Sequence, residues 1–137
     1  MVSTLKMAKA YFDSKGIHTS VLDEEDNILR VGFKGDNTTV SILMDFSEDG
    51  GYVTFKSYNL CTFSVDKIAQ MYKLCSELNK EYKWVKFYVD ESDNTITAQD
   101  DAIIQLDSCG VECYELVGRM VAIVDDVYPR MMKTIWQ

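Results

Sequence analysis

The stretch Leu29-Arg30-Val31-Gly32-Phe33-Lys34-Gly35-Asp36-Asn37-Thr38-Thr39-Val40-Ser41-Ile42-Leu43-Met44-Asp45-Phe46 decides the fold. Leu29, Val31 and Phe33 point one way and Arg30, Gly32 and Lys34 the other, which is the period-two signature of a half-buried strand. Gly35-Asp36-Asn37 supplies residues suited to a tight turn. Val40, Ile42, Met44 and Phe46 then resume the alternation. Glu48-Asp49-Gly50-Gly51 turns the chain again, and Tyr52 to Tyr58 forms a third strand with Val53 and Phe55 on its apolar side. Strands joined by turns this short pair antiparallel.

Helical periodicity lies on both sides of this meander. Ser3 precedes a pattern of Leu5, Ala8 and Phe12, and Gly16 supplies a left-handed stop. A short extended piece around His18–Leu22 and the acidic turn Asp23-Glu24-Glu25-Asp26 lead into the strands. Downstream, Ser64 and Asp66 open a helix whose stripe holds Ile68, Tyr72, Cys75, Leu78, Asn79 and Tyr82. Trp84 to Asp90 alternates, with Val85, Phe87 and Val89 on one face, and Asp93-Asn94 turns into a strand around Thr95–Gln99. Ser108 opens the last helix, whose apolar face includes Leu116, Met120, Ile123, Val124 and Val127. Pro129 cannot donate in a helical ladder, so the helix is expected to kink or restart near Tyr128. The order is α-β-β-β-α-β-β-α, an α+β fold with helices packed on an antiparallel sheet.

The 137 residues are 47% hydrophobic and hold a single proline, enough for one domain with a real core. Fourteen basic residues face twenty-two acidic ones, a net charge of −8. That excess repels phosphate backbones and anionic lipid, so neither nucleic acid nor membrane is an expected partner. Lysines interrupt the N-terminal apolar residues, and the strongest apolar run, Val121-Ala122-Ile123-Val124, is far short of a span. The expected location is the cytoplasm, with the cysteines reduced.

The motifs that could carry chemistry are weak. Cys61, Cys75, Cys109 and Cys113 fit no zinc or redox spacing, and Cys109 and Cys113 lack the further ligands a soft metal needs. Cys109 at a helix start could favour a thiolate, but Glu112 and Asp107 oppose it. His18 is the lone histidine and no elbow motif aims a nucleophile at it. Asp90, Ser92 and Asn94 alternate as the first ligands of a calcium loop do, yet Thr95 and Asp101 occupy the positions that require Gly and Glu. Gly32-Phe33-Lys34-Gly35 and Trp84-Val85-Lys86-Phe87-Tyr88-Val89 have the outline of RNA-contacting elements without a basic neighbourhood. No catalytic residues, metal or cofactor are expected.

The sheet offers something more specific. With Val53, Phe55, Val85, Phe87 and Val89 facing the helices, the other face presents Tyr52, Thr54, Lys56 and Tyr58 from one strand. From another it presents Trp84, Lys86 and Tyr88. Aromatics beside lysines on a face the core does not need suggest a contact surface. Tyr52, Lys56, Tyr58, Trp84, Lys86 and Tyr88 are the expected partner-binding residues.

Leu78-Asn79-Lys80-Glu81-Tyr82-Lys83-Trp84-Val85-Lys86-Phe87-Tyr88-Val89-Asp90 resembles a characteristic segment of YbjN-domain proteins. Glu115-Leu116-Val117 with Arg119-Met120-Val121, followed by Asp125, Tyr128-Pro129 and Met131-Met132-Lys133, resembles that family's closing helix. The resemblance implies one such domain over residues 1–137, with a fold like that of type III secretion chaperones and pairing as homodimers. The family carries the label of a bacterial sensory transduction regulator and brings no catalytic residues to transfer. The expected function is a non-enzymatic regulatory or chaperone-like module that binds a protein partner through a sheet face or edge. The apolar tail Met131–Trp136 fits a homodimer. A second possibility is a small acidic immunity-type protein that masks a basic toxin, with the −8 charge steering the encounter. A third is an enzyme built on Cys109.

Overall fold

A computed structural model describes residues 1–137. Helix α1 (Ser3–Ser14) precedes four strands, β1 (Thr19–Asp23), β2 (Ile28–Lys34), β3 (Thr39–Phe46) and β4 (Tyr52–Ser57). A 3-10 turn (Val65–Lys67) leads into α2 (Ile68–Glu81). Strands β5 (Lys86–Asp90) and β6 (Thr95–Ile103) and the long helix α3 (Cys109–Trp136) complete the chain. All strands are antiparallel in one sheet, in the spatial order β1-β2-β3-β4-β6-β5. The architecture is the expected α+β one. The extended piece around His18–Leu22 is drawn into the sheet as edge strand β1, where Thr19 and Val21 lie opposite Val31 and Leu29 of β2.

The three helices share one face of the sheet. Leu29, Val31, Ile42, Met44, Val53, Phe55, Phe87, Ile96 and Ala98 are buried against them. Leu5, Ala8 and Phe12 of α1 and Cys113, Val117, Met120, Val124 and Val127 of α3 fill the other side of that core. A Cβ on Gly110 would stand 2.7 Å from the Cβ of Tyr11, so glycine is what allows α1 and α3 to approach this closely.

Four local expectations are corrected. Ser3 is the first helical residue rather than the cap: Val2 holds the cap position, and its N–H donates to Asn27 Oδ1 at 2.7 Å. On α2 the buried stripe is Met71, Leu74, Cys75 and Leu78, while Tyr72 turns outward to Glu91. Cys75 and Leu78 belong to the expected stripe, and Ile68 and Tyr82 pack half-buried against the core. Trp84 lies before β5 in a bend with φ of 74°, not on the strand.

The fourth concerns Pro129, which sits inside α3 without ending it. The hydrogen bond it cannot donate is replaced from outside the helix, because Asn37 in the β2–β3 turn donates to the carbonyl of Asp125. The same turn is held by the Asp125 carboxylate, which accepts the N–H groups of Asp36, Asn37 and Thr38 at 3.1, 2.8 and 3.0 Å. Met131 is buried in the chain's own core, with Met132 and Ile135 half-buried against it, so of the tail's apolar residues only Trp136 stands out into solvent.

Candidate functional site

No helix covers the second face of the sheet. Tyr52 and Ile103 lie opposite each other at one end, 56% and 83% exposed. In the next row Thr54 donates to Asp101 Oδ1 at 2.6 Å, and Gln99 Nε2 donates to Asp101 Oδ2 at 3.1 Å. The row after that runs across the whole sheet as Ser20, Arg30, Leu43, Lys56, Gln99 and Lys86. Lys56 Nζ stands 5.6 Å from the centroid of the Tyr58 ring, within cation–π range. Partial burial works against the Lys56 charge, yet the phenols of Tyr58 and Tyr88 and the Asp101 carboxylate hold its pKa above the ordinary lysine range. Tyr88 pairs with Thr97, which is buried even though it belongs to the open face.

The six expected residues therefore separate into groups. Lys56, Tyr58 and Tyr88 form one cluster. Tyr52 is two rows away, beside Ile103. Lys86 is committed elsewhere, since its Nζ donates to the carbonyls of Asn79 and Tyr82 at 2.9 Å each and so holds the C-terminal end of α2. Trp84 is carried off the strand by its left-handed backbone, which is uncommon for a bulky residue. Its ring lies under the Arg119 guanidinium at 5.3 Å from the centroid. There it forms a ridge between two grooves. One, of about 430 Å³, is shared with Lys86, Tyr88, Gln99, Asp100 and Asp101. The other, of about 270 Å³, is lined by Glu112, Glu115, Leu116 and Arg119.

Arg30, Leu43 and Ile103 belong to this face but are missing from the expected set. The alternation around Arg30 already carried the signal. The alternation of Val40, Ile42, Met44 and Phe46 likewise leaves Leu43 on this side, whereas Ile103 lies beyond the expected Thr95–Gln99 strand and could be placed only once β6 was paired with β4.

The β5 edge is closed. Asn79 Nδ2 donates to Phe87 O at 3.0 Å and Phe87 N–H donates to Asn79 Oδ1 at 2.7 Å, so one side-chain amide takes the place of a neighbouring strand. This gives a role to the asparagine of the Leu78–Asp90 segment.

The weaker motifs resolve structurally. Cys109 is buried, and its Sγ lies 3.5 Å from Thr4 O. Burial, then Glu112, pushes its thiol up, opposite to what a reactive thiolate needs. Burial likewise raises Cys61 to about 11 and Cys75 and Cys113 to about 12. Asp90 Oδ1 is taken by Ser92, through its N–H at 3.0 Å and its hydroxyl at 2.6 Å, which makes the β5–β6 loop an Asx turn. No three His, Cys, Asp or Glu side chains converge as a metal site. His18 is exposed, with Ser20 Oγ 3.5 Å away. No helix is long and apolar enough to cross a membrane.

The YbjN family model, described as "Putative bacterial sensory transduction regulator", matches residues 4–129. Among solved structures, the fold is similar to that of YbjN from E. coli, with a TM-score of 0.66 and 11% identity, covering 93% of each chain. It is also similar to a chain of the ExsC–ExsE complex, with a TM-score of 0.60 and 11% identity over 91% of this chain and 90% of that one. A third likeness is to a chain of the heterodimeric ExoU–SpcU complex from the type III secretion system of Pseudomonas aeruginosa. Its TM-score is 0.51 at 12% identity, over 93% of this chain and 96% of that one. At these identities the likeness concerns the fold. No curated protein matches the chain by sequence.

Proposed function

The chain belongs to the YbjN family, and from that premise we propose that it is a non-enzymatic regulatory or chaperone-like module that captures another protein on the open face of its sheet. The observation that carries this reading is the uncovered face itself, where Tyr58 and Tyr88 stand exposed beside Lys56, and Tyr52 and Ile103 stand exposed two rows away. Aromatic residues standing free on a rigid sheet present large contact area at small entropic cost. The reading is supported by the company the fold keeps, since two similar chains were solved within protein–protein complexes. Lys56 and the Trp84 ridge frame the surface, while Lys86 contributes by fixing α2 behind it. The module acts in the cytoplasm on this reading. A homodimer would be assembled through the exposed Trp136 and not through the buried Met131.

The test is affinity capture from native lysate with the purified chain and a Tyr52→Ala/Tyr58→Ala/Tyr88→Ala variant, both checked for folding by circular dichroism. The expected result is loss of the captured protein from the variant. Equal capture by the folded variant would remove the open face from the proposal.

A further inference from the structure

The charge on the open face departs from that of the rest of the molecule. Its strands turn Arg30, Lys34, Lys56 and Lys86 outward against Asp23, Asp45, Asp90 and Asp101, a balanced set on a chain that carries −8, with the acids gathered toward the ends of the strands. The transverse row itself holds no acidic residue: Arg30, Leu43 and Lys56 stand side by side on adjacent strands, and Asp101 lies in the adjoining row on the Lys56 side. Arg30 Nε donates to Ser41 Oγ at 3.0 Å, and neither Arg30 nor Lys56 joins any of the ion pairs of the chain. Two cations outside any salt bridge therefore flank one half-buried leucine on a face bordered by tyrosines.

We propose that this row docks an acidic extended segment of the captured protein, with carboxylates on Arg30 and Lys56 and an apolar side chain over Leu43. The proposal rests on the open face being the capture surface. The spacing suits it. Arg30 and Lys56 are two strands apart, about 10 Å at roughly 4.8 Å per strand. An extended polyproline-type segment brings every third residue to one side at about 9 Å intervals. Acidic residues three apart thus reach both cations. A phosphate backbone is the less suitable occupant, because its charges come at about one per 1.7 Å of duplex, far denser than two cations about 10 Å apart can match.

The probe is a fluorescent peptide of four Glu-Pro-Leu repeats, followed by anisotropy in low-salt buffer. Peptides of Gln-Pro-Leu and Lys-Pro-Leu repeats and a single-stranded oligothymidine serve as comparisons. Saturable binding of the acidic repeat is expected, with affinity lower by about tenfold in Arg30→Glu/Lys56→Glu and weakened by added salt. The milder Arg30→Gln/Lys56→Gln variant replaces it if the reversal unfolds the chain. Absent binding of the acidic repeat, equal binding of the neutral repeat, indifference to the folded double variant, or preference for the oligothymidine would each overturn the proposal. If the tyrosine variant still loses lysate capture while the acidic repeat fails, the capture face stands and only its assigned chemistry falls. Unchanged capture by the tyrosine variant brings down both.

Discussion

Asn37 Nδ2 donates to the main-chain carbonyl of Asp125 at 3.0 Å, four residues before Pro129. In a regular helix that carbonyl receives the N–H of the fourth residue on, and proline has none to give. Asn37→Ala is expected to cost about 0.5–1 kcal/mol in the native chain. In a Pro129→Ala background the restored helical N–H satisfies the same carbonyl, and the cost should shrink. Urea denaturation of the four members of this cycle measures the coupling. An equal cost of Asn37→Ala in both backgrounds would disconnect Asn37 from the proline.

The carboxylate of Asp125 gives that junction an acid limit. Its pKa is held below the ordinary carboxylate range by the Asn37 N–H first and then by those of Thr38 and Asp36, against the opposing effect of desolvation. A depressed carboxyl contributes stability that is fully present above its unfolded pKa of about 3.9 and is lost as pH falls through the lower folded value. Amide hydrogen exchange at Asp36, Asn37 and Thr38, corrected for intrinsic rates, should therefore lose its protection below that range. Asp125→Asn should abolish the pH step. A step that persists in Asp125→Asn would assign it to another group.

Asn79 should matter for association more than its size suggests. Asn79→Ala removes two hydrogen bonds to Phe87 and is expected to cost about 2 kcal/mol. It also opens the centre of the β5 edge. Light scattering after size exclusion should show concentration-dependent oligomers for the variant beyond those of the native chain. A variant that is less stable yet no more associated would make the amide a brace and not an edge guard.

Asp100 offers a gain in stability. Its Oδ2 is buried with no hydrogen-bond partner, and burial is the leading cause raising its carboxyl pKa. A raised carboxyl destabilises the fold progressively as pH rises from the unfolded value through the folded one, so the penalty belongs to the alkaline side of that window. Asp100→Asn should raise Tm at pH 7 and change little below the unfolded carboxyl pKa. A lower Tm at pH 7 would show that Asp100 has a partner in solution.

Much of the fold is legible because it rests on local periodicity. Leu29 to Phe46 and Val85 to Val89 alternate cleanly, and a slip of one residue would expose the whole buried set. Edge strand β1 was harder to read because the His18–Leu22 piece is short, and its pairing depends on β2 lying beside it. On α2 the stripe was legible through Ile68, Cys75, Leu78 and Tyr82, whereas Tyr72 was counted inward because an aromatic at that spacing fits either the core or the flank that meets Glu91. Of the candidate site, Tyr52, Lys56, Tyr58 and Tyr88 followed from alternation alone. Trp84 did not, since a single left-handed residue breaks the alternation without leaving a glycine to announce it. The capture of Lys86 by carbonyls of α2 and the side-by-side placement of Arg30 and Lys56 depend on contacts between distant segments.

The two ends of the sheet are unlike, one closed by the Asn79 amide and the other ending in β1 with no strand beyond it. The two ends therefore differ in what a visiting strand meets: at β1 a strand with no neighbour beyond it, at β5 a row whose centre is already taken by a side chain. A pair formed at β1 uses up the edge it forms on, so strand addition there is expected to stop at two copies.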